Sequence, residues 1–487
     1  MKNQSKPTFS GPEICSYTAR KVVTMLKKGE VSPKELLDAA YERITAVEQS
    51  VNAMPILCEE RARASIAKLA DKLELNGSQP GWLAGLPIGI KDLNDVEGVH
   101  TTYGSVGFKD NIATASSHLI GRLEDRGGIV VGKTNSPEMG AGGNTFNDVF
   151  GYTRNPWDTR KNAGGSSGGA AVSLATGEVW LSHGSDLAGS LRTPAGYCGI
   201  VGMRPTPGRA GGGPTEAIFL NEATSGPMAR DVEDIALFLD SMAGYDPRQP
   251  ITLEAPRTSF QEAVKQEAHN VRIAFSEDQN GFAPVEKEIR NVLQDAMKLV
   301  AATGTEVEEA CPELPDLYDT YVNLRGVFYG TVTDTAPAHI QKHFKRTLRE
   351  NIEFGRKLTS AQIYEAFRNR SKLYQAMRVF LEDYDALAIP VVGLEPGLVE
   401  EEYPRMVDGE PMEDYIDWLR FSFLATTTAL PAIVLPAGFT SSGMPVGIQL
   451  IGPPHGDARL LQVARSVEEA IQFGVSPIDP IIKHDLG

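Results

Sequence analysis

The sequence predicts an α/β fold: a single large domain with a mixed β-sheet core and helices covering both of its faces. Three observations lead there. From Gly81 to about Gly213, short apolar runs alternate with helix-like segments, punctuated by glycine and proline, which is how strands and covering helices follow one another in layered α/β proteins. Strand-like runs return in the last third of the chain as ALAIP, AIVLPAGF and VGIQLIG. Apolar strands near both ends argue for one sheet assembled from both halves, although 487 residues leave room for two or three domains.

In chain order, residues 1–75 read as helices packed on the core. VSPKELLDAAYERITAVEQ opens with Ser32 as N-cap, Pro33 at the first helical position and Glu35 three residues after the cap, the makings of a capping box. EERARASIAKLADKLE follows as a second amphipathic helix. Residues 81–240 hold the glycine-rich centre: LPIGI as a strand, SSHLIGRLEDRG as a helix, IVVG as a strand, GGAAVSLATG as a small-residue helix and VWLSHG as a strand. Residues 245–380 are mostly helical by pattern, with 245–262 as a surface excursion and VRIAFSED at 271–278 as a strand. Residues 384–470 complete the sheet and end in the helix ARLLQVARSVEEAI.

Composition excludes several kinds of function. The net charge is −16 and the densest basic block is KHFKR at 342–346, so the phosphate neutralisation on which nucleic-acid binding depends is not expected. Cys15, Cys58, Cys198 and Cys311 are scattered, without a C-x-x-C pair or a Cys/His cluster; this predicts reduced thiols in a cytoplasmic protein and no structural zinc. MKNQSKPTFSGPEIC lacks a signal core, and the chain has no run of about 18 apolar residues, so no membrane span is expected.

Two glycine-rich stretches compete for the chemistry. GGIVVGKT, residues 127–134, fits the G-x-x-x-x-G-K-T pattern of a phosphate loop. Such a loop needs a strand before its first glycine and a helix from the Lys-Thr onward. Here a helix-like segment comes first, and Ile129, Val130 and Val131 are β-branched residues suited to a strand, so the stretch reads as helix, turn, strand. KNAGGSSGGAA, residues 161–171, contains the G-x-S-x-G of an esterase elbow at 164–168. AAVSLATG follows at once, so the stretch reads as a tight loop entering a closely packed helix, not as a flexible linker.

Further on, VWLSHGSDLAGSLRTPAGYCG, residues 179–199, reads as an apolar strand, a small-residue turn and the start of a helix, with Ser190 at that start. The N–H groups of Leu187, Ala188, Gly189 and Ser190 would be free there to bind a developing oxyanion, which makes Ser190 a candidate nucleophile. The residues alone leave its base open. His183 leads into the loop and His118 lies in a helix-like segment, without the later Asp and His of an esterase triad. A lysine is the other choice. Lys91 ends LPIGIK, where burial would favour its neutral form, and Lys133 in GGIVVGKT fits almost as well.

LPIGIKD, VGKTN, NPWDTRKNAGGSSGGAA, GSDLAGSLRTPAGYCGIVGMRPTPGR and SGPMARDVED, in this order and spacing, resemble the amidase signature family; ALPAIVLPAG and PVGIQLIGPP resemble it more weakly. The resemblance implies the amidase signature fold and a Ser–Ser–Lys triad, with Ser190 as nucleophile, Ser166 as a bridging serine in a cis peptide and Lys91 as base. It implies an oxyanion hole from the amides of Leu187, Ala188, Gly189 and Ser190, supported by Ser167, Asp186 and Arg192. No metal and no organic cofactor are implied, and Lys133 matches no catalytic position. Many members have two glycines before the nucleophile; here the pair is Ala188-Gly189, which adds a methyl group to the pocket floor.

The implied function is hydrolysis of a carbon–nitrogen amide bond to a carboxylate plus ammonia or an amine, through an acyl-enzyme on Ser190. The substrate would be a small linear or cyclic amide, met in the cytoplasm by a stand-alone amidase with no nucleic-acid or membrane partner; a homodimer is left open. Two alternatives remain: the glutaminase subunit of a tRNA-dependent amidotransferase, and a P-loop nucleotide-binding protein using residues 127–134. Residues 300–430 are expected to line much of the pocket. Tyr321, Phe328, Tyr329, Trp418 and Phe421 suit an aryl or alkyl group, or ordinary core packing.

Overall fold

Runs that are apolar on both faces need cover on both sides, and the chain gives it to them in one eleven-stranded sheet. The computed structural model describes residues 8–211, 217–333, 336–474 and 476–485. Residues 1–7, read above as part of a segment without a signal core, and residues 212–216 of the glycine-rich centre lie outside the described residues.

The sheet strands, in chain order, are β1 (Ile56–Leu57), β2 (Pro87–Lys91), β3 (Ile129–Thr134), β4 (Leu181–Asp186), β5 (Val201–Arg204), β6 (Thr224–Ala229), β7 (Arg272–Phe275), β8 (Glu306–Glu309), β9 (Ala386–Pro390), β10 (Ala432–Phe439) and β11 (Pro445–Ile451). Their order across the sheet is β1-β3-β2-β4-β6-β5-β10-β11-β9-β7-β8. β2 runs parallel to β3 and β4, and β7 runs parallel to β8 and β9; the other neighbours are antiparallel. The mixed sheet is therefore as expected. Its two halves join where β10 meets β5, Ile433 opposite Met203, so strands from both ends of the chain share one core.

Local signals explain most elements. Ser32 and Glu35 form the capping box of the helix Pro33–Val51, with Pro33 in its first turn. The helix Gly168–Ala175 is buried along its whole length. Its small residues are required: a Cβ on Gly169 would lie 2.4 Å from the Ala53 carbonyl oxygen and the Asn135 nitrogen.

Other expectations are corrected. EERARASIAKLADKLE forms two helices, Glu59–Ile66 and Leu69–Asn76. Lys68 N–H donates to the Ser65 carbonyl, a tighter i→i+3 turn that ends the first helix before Leu69 packs on the core. Residues 127–134 follow the helix, turn, strand reading, and this rules out the phosphate-loop alternative. Gly127, with φ +80°, follows the helix His118–Asp125, and Ile129–Thr134 is a wholly buried strand. Cys15, Cys58 and Cys198 are buried free thiols, and Cys311 is half-buried and free. Among the described residues, no helix is long and apolar enough to cross a membrane, and no group of three or more His, Cys, Asp or Glu could hold a metal ion.

Candidate active site

Parallel pairing of β2 with β4 sets Ile90 beside His183 and so brings the C-terminal ends of the two strands together, the place where open α/β sheets bind ligands. Lys91 is the last residue of β2 and Asp186 the last of β4. The turn before the helix Gly168–Ala175 comes against them, and its Gly165–Ser166 peptide is cis.

Lys91 is fully buried. Its Nζ lies 2.7 Å from Ser166 Oγ, 2.9 Å from Ser167 Oγ and 3.2 Å from Ser185 Oγ. Burial pulls the ammonium down to about 7, against the opposing pull of the Asp186 charge. Ser167 also holds the end of β4, since its hydroxyl donates to the Ser185 carbonyl and accepts the Ser185 N–H.

Ser190 is 5 % exposed. It sits in a turn, two residues before the helix Arg192–Cys198, and not at the helix start that the sequence suggested. The cause is Gly189, whose φ of +84° bends the chain so that its carbonyl becomes the acceptor for Arg192 N–H and Thr193 N–H. Ser167 N–H donates to the Ser190 carbonyl at 3.1 Å, which joins the two serine-bearing turns.

Asp186 organises this turn. Its carboxylate accepts Gly189 N–H at 3.1 Å, Leu191 N–H at 3.0 Å, and the Arg192 Nε and Nη2 at 3.0 and 2.7 Å. Burial alone would raise its pKa, but Arg192 and Arg204 hold it well below the usual carboxylate range. Arg192 also donates to the Ser422 carbonyl and to Gln449 on β11, which ties the turn to the C-terminal strands. The four amides expected to bind an oxyanion differ in their partners. Gly189 N–H is committed to Asp186, whereas Leu187, Ala188 and Ser190 N–H have no acceptor among the described residues.

The competing bases lie elsewhere. Lys133 Nζ donates to Asp92 Oδ1 at 3.0 Å and to Thr101 Oγ1 at 2.8 Å, a buried ion pair. His183 is fully buried in β4, with no hydrogen-bond partner for either ring nitrogen among the described residues. Burial, aided by Lys91 and Lys133, pulls it down to about 3. His118 is half-exposed, with its Nε2 3.3 Å from Asp246 Oδ2.

Sequence reasoning missed several residues around the site. Ser185 lies inside the motif GSDLAGS and Gln449 inside PVGIQLIGPP, so both carried a signal; Tyr321 was named for its ring and not for its hydroxyl, which donates to the Leu187 carbonyl at 3.4 Å. The five aromatic candidates are all buried. Phe328 and Tyr329 belong to a small apolar cluster, separate from the main core, with Ala141, Ile340, Phe344 and Leu348; Leu187 and Met139 pack against it.

A family model described as amidase matches residues 35–461. The chain belongs to the amidase family. It is an amide hydrolase with the amidase signature fold. An acylamidase of Rhodococcus erythropolis is 34% identical over 456 residues, covering 93% of this chain and 94% of its own. A glutamyl-tRNA(Gln) amidotransferase subunit of Geobacillus sp. (strain WCH70) is 32% identical over 478 residues, covering 92% and 96%. Among solved structures, a bacterial aryl acylamidase of the amidase signature family superposes with a TM-score of 0.86 at 26% identity, covering 93% and 96% of the two chains. A 6-aminohexanoate cyclic dimer hydrolase superposes with 0.84 at 27% identity, covering 96% and 99%.

Proposed function

We propose that this amidase hydrolyses small amides bearing an apolar acyl or aryl group, with Ser190 as nucleophile, Ser166 as proton bridge and Lys91 as base. The observation that carries the reading is the buried Lys91 amine, held 2.7 Å from Ser166 Oγ beside the turn that bears Ser190. Neutral Lys91 takes the Ser166 proton as Ser166 takes that of Ser190, and Ser190 Oγ attacks the amide carbonyl. The N–H groups of Leu187, Ala188 and Ser190 stabilise the oxyanion, each donor being worth about 2.7–4 kcal/mol. The proton returns along the same path to the leaving amine, and water then cleaves the acyl-enzyme. Ser167, Asp186 and Arg192 hold this arrangement in place.

The apolar cluster against Leu187 supports an apolar acyl or aryl group. The similarity to the amidotransferase relative supports a second reading, glutamine hydrolysis within a larger assembly. Glutamine's charged α-groups would then lie beside that apolar cluster, which favours the first. The first reading also has the protein working in the cytoplasm without other subunits, alone or as a homodimer. A panel of anilides, aliphatic amides, cyclic amides and glutamine separates the two. Turnover of anilides or alkyl amides by the isolated chain, lost in Ser190→Ala, is expected; preference for glutamine, or activity that requires added subunits, would overturn it.

A further inference from the structure

In a trans peptide, the carbonyl of one residue and the N–H of the next point opposite ways. Among the described residues the one cis bond is Gly165–Ser166, so the peptides of the Asp186–Leu191 turn are trans. Whatever holds a carbonyl in that turn therefore aims the N–H that follows it.

Each free N–H of the turn has a carbonyl edge that is held. The Asp186 carbonyl accepts from Arg204 Nη1 at 2.7 Å, and the N–H on that peptide is Leu187's. The Leu187 carbonyl accepts from the Tyr321 hydroxyl at 3.4 Å, and the N–H on that peptide is Ala188's. The Gly189 carbonyl accepts from the N–H groups of Arg192 and Thr193 at 2.9 and 2.6 Å, and the N–H there is Ser190's. The remaining donors of the turn, Gly189 N–H and Leu191 N–H, are both taken by the Asp186 carboxylate.

Tyr321 has a backing of its own. Its ring stacks on Phe423 with centroids 3.7 Å apart. Its oxygen accepts from Arg325 Nη1 at 3.3 Å, which leaves its proton for Leu187. Arg325 is buried, donates also to Asn351 Oδ1 and the Tyr415 hydroxyl, and lies over the Tyr329 ring. Among the described residues no carboxylate pairs with it. A buried guanidinium spent on hydroxyl and amide oxygens polarises the Tyr321 O–H, and donation to a carbonyl strengthens the N–H at the other edge of the same peptide.

Resting on the reading of Ser190 as nucleophile, we infer that Arg204 and the Arg325–Tyr321 pair are positioning residues for amide hydrolysis. They grip the Asp186–Leu187 and Leu187–Ala188 peptides by their carbonyl edges and keep the two N–H groups turned toward the reacting carbonyl. Tyr321 and Arg325 come from the helix Leu317–Val332, which also supplies Phe328 and Tyr329 to the apolar cluster. The helix that shapes the acyl side thus also sets the oxyanion donors.

Tyr321→Phe tests this, because it keeps the ring stack and removes the hydroxyl. With an anilide substrate, kcat should fall about tenfold or more, less than the roughly 10²–10³ lost with a whole oxyanion donor. KM should stay within about twofold, because the contact acts on the transition state. A boronic acid that forms a tetrahedral adduct on Ser190 should weaken by the same factor as kcat/KM, while a non-covalently bound carboxylate product binds as before. Arg325→Gln should fall on the same line with a smaller loss. Unchanged kcat and boronate affinity in Tyr321→Phe, or equal losses for boronate and product, would overturn the inference. Boronate affinity that survives Ser190→Ala would instead overturn the nucleophile assignment beneath it.

Discussion

Lys91 is a fully buried amine whose pKa burial pulls from 10.5 down to about 7, so its charge changes within the working range of an enzyme. For one ionisation at that value, the neutral fraction is about 10 % at pH 6, about half at pH 7 and about 90 % at pH 8. Acylation should therefore accelerate about tenfold from pH 6 to pH 8 and then level off, since only the neutral amine accepts the Ser166 proton. The assay is the pre-steady-state burst of aniline release from a chromogenic anilide, which reports acylation apart from deacylation. A flat profile from pH 6 to 9, or a rise that continues past pH 9, would refute the base assignment. Stability carries the same signature. The unfolded chain keeps this proton up to about pH 10.5 and the folded chain releases it near 7, so stability rises with pH between those values. Lys91→Met, which is inactive on this account, should gain most below pH 7, with an upper bound of about 5 kcal/mol before the lost serine contacts are deducted. The gain should vanish toward pH 10.5; a gain independent of pH would contradict it.

Two further perturbations address buried ionisable groups away from Ser166 and Ser190. Burial, and then the neighbouring Glu48, push the Glu178 carboxyl well above its ordinary range, and burial raises Glu48 as well. The folded pair binds more protons than the unfolded one, so it loses stability as pH rises; Glu178→Gln, which puts an N–H where the proton sits, should raise Tm by an amount that grows between about pH 5 and 8, and a constant offset would contradict this. Lys133→Ala strands the Asp92 carboxylate, which the Thr102 N–H and hydroxyl also hold. It should cost about 3–5 kcal/mol in urea unfolding, with part recovered in Lys133→Ala/Asp92→Asn, and a cost below about 1 kcal/mol would refute it.

Much of this was legible in the sequence because each signal was local. The capping box at Ser32, the stiff β-branched run that made residues 129–131 a strand, and the small residues of 168–175 all act within a few positions. Strands β5 and β6 were not read, because the glycine and proline in VGMR and TSGPMA are turn signals on their own. They pair because the sheet closes around them: a Cβ on Gly226 would lie 2.3 Å from the Met203 carbonyl oxygen. Strand β8 was missed because EVEE is an exposed, charged edge, a common guard against edge pairing. Lys91 and Lys133 looked alike because each ends an apolar run; pairing with Asp92 distinguishes Lys133 in space. The Tyr321 hydroxyl had no local signal, since its partner Leu187 is 134 positions away.

In the proposed reaction the attack comes from Ser190, and Ser166, despite its elbow-like G-x-S-x-G, relays the proton. Mass spectrometry of the intact enzyme and its peptides after reaction with a fluorophosphonate tests it most directly. One adduct on Ser190 is expected, absent in Ser190→Ala, with slower labelling at the same residue in Ser166→Ala. An adduct on Ser166 in the wild-type chain would contradict it.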